Sequence, residues 1–207
     1  MSKPKSKATE SNGRTTLWLK LIIAFTAFAL YSNTLNHGYV LDDVSVISGN
    51  RHVMQGVDGI KPIWTTSYRD GYWNDSGTLY RPLTLSVFAV QWYLSPGNPA
   101  LGHWTNVLMY VLLCLMIFKV INQLTAHRNW AFFSALIFAA ITMHTEVVAN
   151  IKSLDELLSM TLGVGAWLAV LKWFDTNHFK YLSYSALVFL AGMFTKEGLI
   201  AYVLIIP

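Results

Sequence analysis

The side chains best placed to do chemistry lie beside long apolar runs. Asp42 and Asp43 are adjacent and follow an apolar run ending at residue 35 by seven and eight positions. Neighbouring carboxylates can divide labour, one accepting a proton while the other orients a substrate or binds a cation. An ordinary solvated turn is the alternative. Arg81 stands between Tyr80 and Pro82. A guanidinium there can hold a phosphate with its planar fork, or simply snorkel toward lipid headgroups. His103 and Asn106 are three positions apart at the mouth of an apolar run, so a helix puts them on one face, as substrate contacts or as a polar entrance. His144, Glu146, Asp155 and Glu156 flank a second gap between apolar runs, and Lys196-Glu197 interrupts the last one. Ionisable groups at a membrane edge are costly and mark function by default. An internal Lys–Glu pair is the structural alternative for Lys196 and Glu197.

Several chemistries fall away. His144 and Glu146, two positions apart, diverge on a helix, and no His-Glu-x-x-His pattern occurs, so a metalloprotease is not indicated. Metal ligation is certain nowhere; a divalent cation at Asp43 is the one cofactor the pattern leaves open. Gly163-Val164-Gly165 lies inside an apolar run without the strand–turn–helix setting of a phosphate loop. An activated donor is therefore expected from the membrane, attached to a lipid. The lone cysteine, Cys114, excludes a disulfide framework.

The elements that must carry these groups are membrane helices. Hydrophobic residues make up 54% of the 207 residues and charged residues 13%, about half the share in a soluble domain. Aromatic residues at 14% exclude disorder. A spanning helix takes about 20 apolar residues. Spans are expected at about 17–35, 103–124, 130–148, 157–174 and 181–206, giving an all-α polytopic membrane domain over 17–207. The long loop 36–102 holds a 12-residue apolar segment, 83–94, between Pro82 and Ser95-Pro96-Gly97. It is too short to span and predicts an interfacial helix. The first run has no small-x-small cleavage site and reads as a retained signal anchor. A chain stopping within an apolar run at Pro207 reads as incomplete.

Lys and Arg gather in cytoplasmic loops. With alternating spans, nine of the fifteen fall on the side of the N-terminus: Lys3, Lys5, Lys7, Arg14, Lys20, Lys119, Arg128, Lys172 and Lys180. The tail 1–16 is therefore expected in the cytoplasm, and the loop 36–102 on the periplasmic, extracytoplasmic or ER-luminal face. The basic tail is a topology signal, so no nucleic-acid partner is expected.

The order of short motifs resembles a known family. Asp42-Asp43 in the first outer loop precedes Tyr80-Arg81-Pro82-Leu83 and His103-Trp104-Thr105-Asn106-Val107-Leu108. His144-Thr145-Glu146-Val147-Val148-Ala149, Asp155-Glu156-Leu157-Leu158-Ser159 and Thr195-Lys196-Glu197-Gly198 follow. This series is similar to the N-terminal half of integral-membrane glycosyltransferases of the GT-C class. It most resembles the transmembrane O-mannosyltransferases with tetratricopeptide repeats and their bacterial relatives. The departures are that such proteins have about twice as many spans and a soluble repeat domain. The resemblance implies inverting transfer of a sugar from a polyprenyl- or dolichyl-phosphate to a protein or glycan hydroxyl. It makes the acidic pair the catalytic signature, with Asp42 as base and Asp43 as orienting group. Arg81 and Lys196, with Lys152 behind them, are the expected cations for the donor phosphate. His103, Asn106, His144, Glu146, Asp155, Glu156 and Glu197 are expected around the substrates. The reading from another class is an inactive fragment, scaffold or binding protein that keeps part of the fold. A secondary transporter would want charges at mid-bilayer, whereas these sit at one edge.

Overall fold

The computed structural model describes residues 7–74 and 77–204. Within them the chain is all helix and turn. The five long elements are α1 (Lys7–Tyr31), α6 (Ala100–Thr125), α7 (Arg128–Ala140), α9 (Leu154–Thr176) and α10 (Phe179–Met193). Between α1 and α6 lie four α-helices, α2 (Arg51–Met54), α3 (Ile60–Ile63), α4 (Asp70–Trp73) and α5 (Pro82–Leu94), and between α7 and α9 lies α8 (His144–Ala149). A 3-10 helix, Glu197–Leu204, follows α10.

Side-chain contacts fix the bundle's directions. The C-terminal part of α1 meets the N-terminal part of α6 through Phe28–Trp104 and Tyr31–Tyr110 ring pairs. The end of α7 reaches Tyr110, so α7 runs against α6. α9 runs with α6: Asn106 bonds the Asn150 carbonyl at one end, and Gln123 bonds Asp175 at the other. Ser185 of α10 donates to Ala166, and the short turn at Asn177 sends α10 back along α9. α6 and α9 stop at left-handed residues, Ala126 and Asn177, whose N–H groups return to Asn122 and Trp173 carbonyls. That closure satisfies carbonyls a helix end otherwise leaves open.

Apolar stripes explain the packing. Among the described side chains of α1, Ile23, Ala27 and Tyr31 alone are buried, at a spacing of four, while Trp18 and Phe25 face outward. On α7, Ala131, Ala135 and Ala139 form a fully buried small-residue stripe that lets helix backbones approach. α1, α6 and the segment 151–176 are long and apolar enough to cross a membrane. The chain is an all-α polytopic membrane protein.

Two expected spans are interrupted. The run 130–148 is helical only to Ala140, then turns at residues 141–143 before α8. The Tyr110 hydroxyl lies 3.0 and 3.2 Å from the Phe138 and Ala139 carbonyls and caps the break. The run 181–206 stops at Met193, and residues 205–206 lie outside the described set. Here a different helix supplies the donors. Leu83 N–H bonds the Phe194 carbonyl at 3.1 Å, and Thr84 Oγ1 bonds that of Thr195 at 3.2 Å. The Leu83 N–H and the Thr84 hydroxyl, in the first turn of α5, thus satisfy the two carbonyls just past α10. The segment 83–94 forms the expected short helix, starting at Pro82, whose missing N–H costs nothing there. Past the α10 break, Leu199 is fully buried in a notch left by Gly163 and Gly192. A Cβ on Gly192 would come within 2.3 Å of Leu199 Cδ2.

Candidate active site

The loop after α1 turns sharply at Leu41, which has a positive φ of 46°. The turn sends the two carboxylates apart. Asp43 is completely buried; its Oδ2 accepts from Val40 N–H at 3.0 Å and its Oδ1 from Lys152 N–H at 2.7 Å. Burial pushes the Asp43 carboxyl up, against these two donors and the nearby His103. Asp42 keeps 49% of its side chain exposed, with one oxygen 3.4 Å from Arg69 Nη2. The open carboxylate is therefore Asp42, and Asp43 pins the loop to the α8–α9 connection. Both Asp43 oxygens accept a backbone N–H.

Arg81 lies in a buried charged cluster. Its side chain is 7% exposed and held by two acids: Nη1 lies 2.6 Å from Asp155 Oδ2, and Nε and Nη2 form a fork on Glu197. Its guanidinium also lies over the Tyr68 ring, 5.2 Å from the centroid. Burial alone would lower its pKa, yet Glu197 and Asp155 carry it above the ordinary value. Arg81 is thus the hub that ties α5 to α9 and to the segment after α10, with three of its five N–H donors engaged by these acids. Lys152 Nζ, 3.4 Å from Asp155 Oδ2, joins the same cluster. Asp155 Oδ1 in turn accepts the Glu156 N–H at the start of α9, where a negative charge is favoured.

His103 and Asn106 share one face of α6, as expected, but both are completely buried. Asn106 donates to the Asn150 and Val148 carbonyls and so holds the turn that also carries Lys152. His103 lies under the Asp42–Asp43 loop, its ring 6.0 Å from that of His37. Neither residue is placed to touch a substrate directly. Glu146 is exposed and apart from the cluster.

The remaining candidates converge on a cavity of about 220 Å³ beneath the α7 and α10 breaks. His144, Glu156, Lys196 and Tyr202 line it together with apolar Leu113 and Met160. Lys196 pairs with Glu156 and is 21% exposed, unlike Arg81 a cation at an open wall. His144 Nδ1 lies 2.8 Å from the Tyr110 hydroxyl.

Arg69 and Tyr68 had no signal in the sequence. Arg69 reaches Asp42 across 27 positions of the chain. Tyr68 is 1% exposed, and its hydroxyl has no hydrogen-bond partner among the described residues. Both line a second cavity of about 220 Å³ between residues 67–69 and 77–79. Burial, reinforced by the Asp155 charge, pushes the Tyr68 phenol well above its ordinary value. It stays a neutral donor.

The chain is similar to proteins named protein O-mannosyl-transferases. It is 30% identical to Tmtc1 of Drosophila melanogaster over 186 residues, 86% of the chain and 21% of that protein. It is 30% identical to TMTC3 of Mus musculus over 158 residues, 73% of the chain and 16% of that protein. Human TMTC1 is 28% identical over 155 residues, 72% of the chain and 17% of that protein. The chain thus spans about a fifth of the length of the curated relatives it matches. No family model and no solved structure matches it.

Proposed function

We propose that this relative of the protein O-mannosyl-transferases carries the base and the donor-phosphate wall of a membrane glycosyltransferase. The reaction moves a sugar from a polyprenyl- or dolichyl-phosphate to a protein hydroxyl, with inversion, at the extracytoplasmic or luminal face. The observation that carries the reading is the divergence of the acidic pair: Asp43 is spent on two backbone N–H groups, and Asp42 is left open beside Arg69.

Asp42 takes the proton of the acceptor hydroxyl as its oxygen attacks the anomeric carbon. The bond to the carrier phosphate breaks on the opposite face, and the phosphate departs with its charge. A departing anion is stabilised by fixed cations and donors. Lys196, at the wall of the cavity under the α7 and α10 breaks, serves that role, with His144 and Tyr202 beside it. The lipid tail lies along apolar Leu113 and Met160. Arg81, Asp155 and Glu197 act by holding the wall in place.

Asp42→Asn keeps the shape and removes the basicity. General-base catalysis is worth about 10²–10⁴ in rate, and sugar transfer from a defined polyprenyl-phosphate donor to a Ser/Thr peptide should fall by that factor. Donor binding and membrane insertion should be unchanged. Turnover within about threefold of the original, under 1 kcal/mol, would reject Asp42 as the base. The scaffold reading would then be favoured.

A further inference from the structure

The far end of the bundle, opposite the candidate active site, holds an unassigned basic cavity. Lys119 comes from α6, Lys172 from α9 and Lys180 from the first turn of α10, and all line a cavity of about 480 Å³. Tyr181, Tyr184 and Leu168 complete its walls. Three helices thus place three cations around one space. None of these lysines forms an ion pair among the described residues. Asp175, the acid at this end of α9, accepts from Gln123 at 2.8 Å instead. Lys180 Nζ lies over the Tyr181 ring, 5.2 Å from its centroid.

All three side chains are exposed, and an anion placed among them lowers their mutual repulsion. The rest of the wall is apolar and aromatic and belongs to helices that face the bilayer. Phosphate with an apolar body attached fits both halves of such a site. Basic pockets between membrane helices suit anionic headgroups, and tyrosines suit the level of the headgroups. We infer that Lys119, Lys172 and Lys180 hold the phosphate of one anionic phospholipid, with its glycerol and upper acyl chains against Leu168, Tyr181 and Tyr184. This site is separate from the transfer chemistry and does not depend on it.

The probe is phosphatidylglycerol, titrated against the chain in neutral detergent and counted by native mass spectrometry. Each basic residue near a headgroup contributes about fivefold in affinity, so replacing all three by Gln should weaken binding about a hundredfold. Replacing Lys3, Lys5 and Lys7 by Gln removes as much charge and should change affinity by less than about threefold. Gly165→Leu tests the cavity with its charges intact. Gly165 lines it, and a Cβ there meets only ordinary contacts at 3.6 and 3.7 Å. Filling that space should also weaken binding at least tenfold. Equal losses in the two triple variants would reduce the site to general electrostatic attraction and overturn the proposal. Unchanged affinity in Gly165→Leu would overturn it too, and that variant decides the matter if the triple variant fails to fold. Displacement of the lipid by an equal concentration of inorganic phosphate would mean that a free anion, not a lipid, is the ligand.

Discussion

Asp43 accepts one N–H from Val40, three residues away, and another from Lys152, 109 positions along the chain. Its raised pKa sets the sign of a pH effect. An acid whose folded pKa exceeds its unfolded value binds its proton more tightly when folded. Its contribution is fully present below the ordinary value of 3.8 and is lost as pH rises through the higher folded value. Thermal unfolding in detergent should therefore show stability falling with pH across that interval. Asp43→Asn should flatten the slope, while costing about 1–3 kcal/mol because an amide cannot accept both N–H groups. An unchanged slope in Asp43→Asn would assign the effect to another group. The acidic pair itself is legible in the sequence, but an extended loop would separate its members by alternation, whereas here a left-handed Leu41 and a helical Asp43 do so. Which one is buried is not legible, because the decision rests with Lys152 and a left-handed Leu41. The Arg81 fork was hidden for the same reason: its partners lie 74 and 116 positions away.

At the scale of elements, hydropathy located the apolar runs and misjudged their continuity. Residues 130–148 contain neither Gly nor Pro, so nothing local announces a break after Ala140. The break depends on Tyr110 of a neighbouring helix, which serves two α7 carbonyls and His144 at once. By contrast, α5 was legible because Pro82 and Ser95-Pro96-Gly97 punctuate it locally. Tyr110→Phe retains the ring and removes the hydroxyl. It should destabilise the protein by about 1–3 kcal/mol, the cost of leaving a buried polar group unpaired. Amide hydrogen exchange should quicken at residues 141–144, with little change at the far ends of α6 and α7. Uniform loss of protection along α7 would mean that the break is not held by this residue.

Across the whole molecule, charge is segregated to the two ends of the bundle. Asp42, Arg81, Asp155, Lys196 and Glu197 gather where α6 and α9 begin, and Lys119, Lys172 and Lys180 where α6 and α9 end. Between these ends, Phe25, Phe133, Ile137 and Leu187 present apolar surface outward. A bilayer normal along the bundle keeps both sets of charges near water. We propose that the basic end faces the cytoplasm and the acidic loop faces out. Cysteines placed singly at the exposed Thr65 and Asn129, in a Cys114→Ala background, should report this. An impermeant thiol reagent should reach residue 65 from outside, and residue 129 only after the membrane is opened. Outside labelling at residue 129 would invert the orientation.

The notch that receives Leu199 also constrains how the protein can change over generations. Leu199 is two and three positions from Glu197 and Lys196, which belong to the charged cluster and the cavity wall. A methyl group at position 192 meets Leu199 first and, through that short segment, displaces both charges. A smaller residue at 199 gives up burial in the notch. Each change alone should destabilise the segment through a different defect, and the pair together removes the collision with Leu199. Positions 192 and 199 are thus tied in their histories: a lineage that enlarges one must first have reduced the other, and homologues should carry the two sizes in complementary combinations.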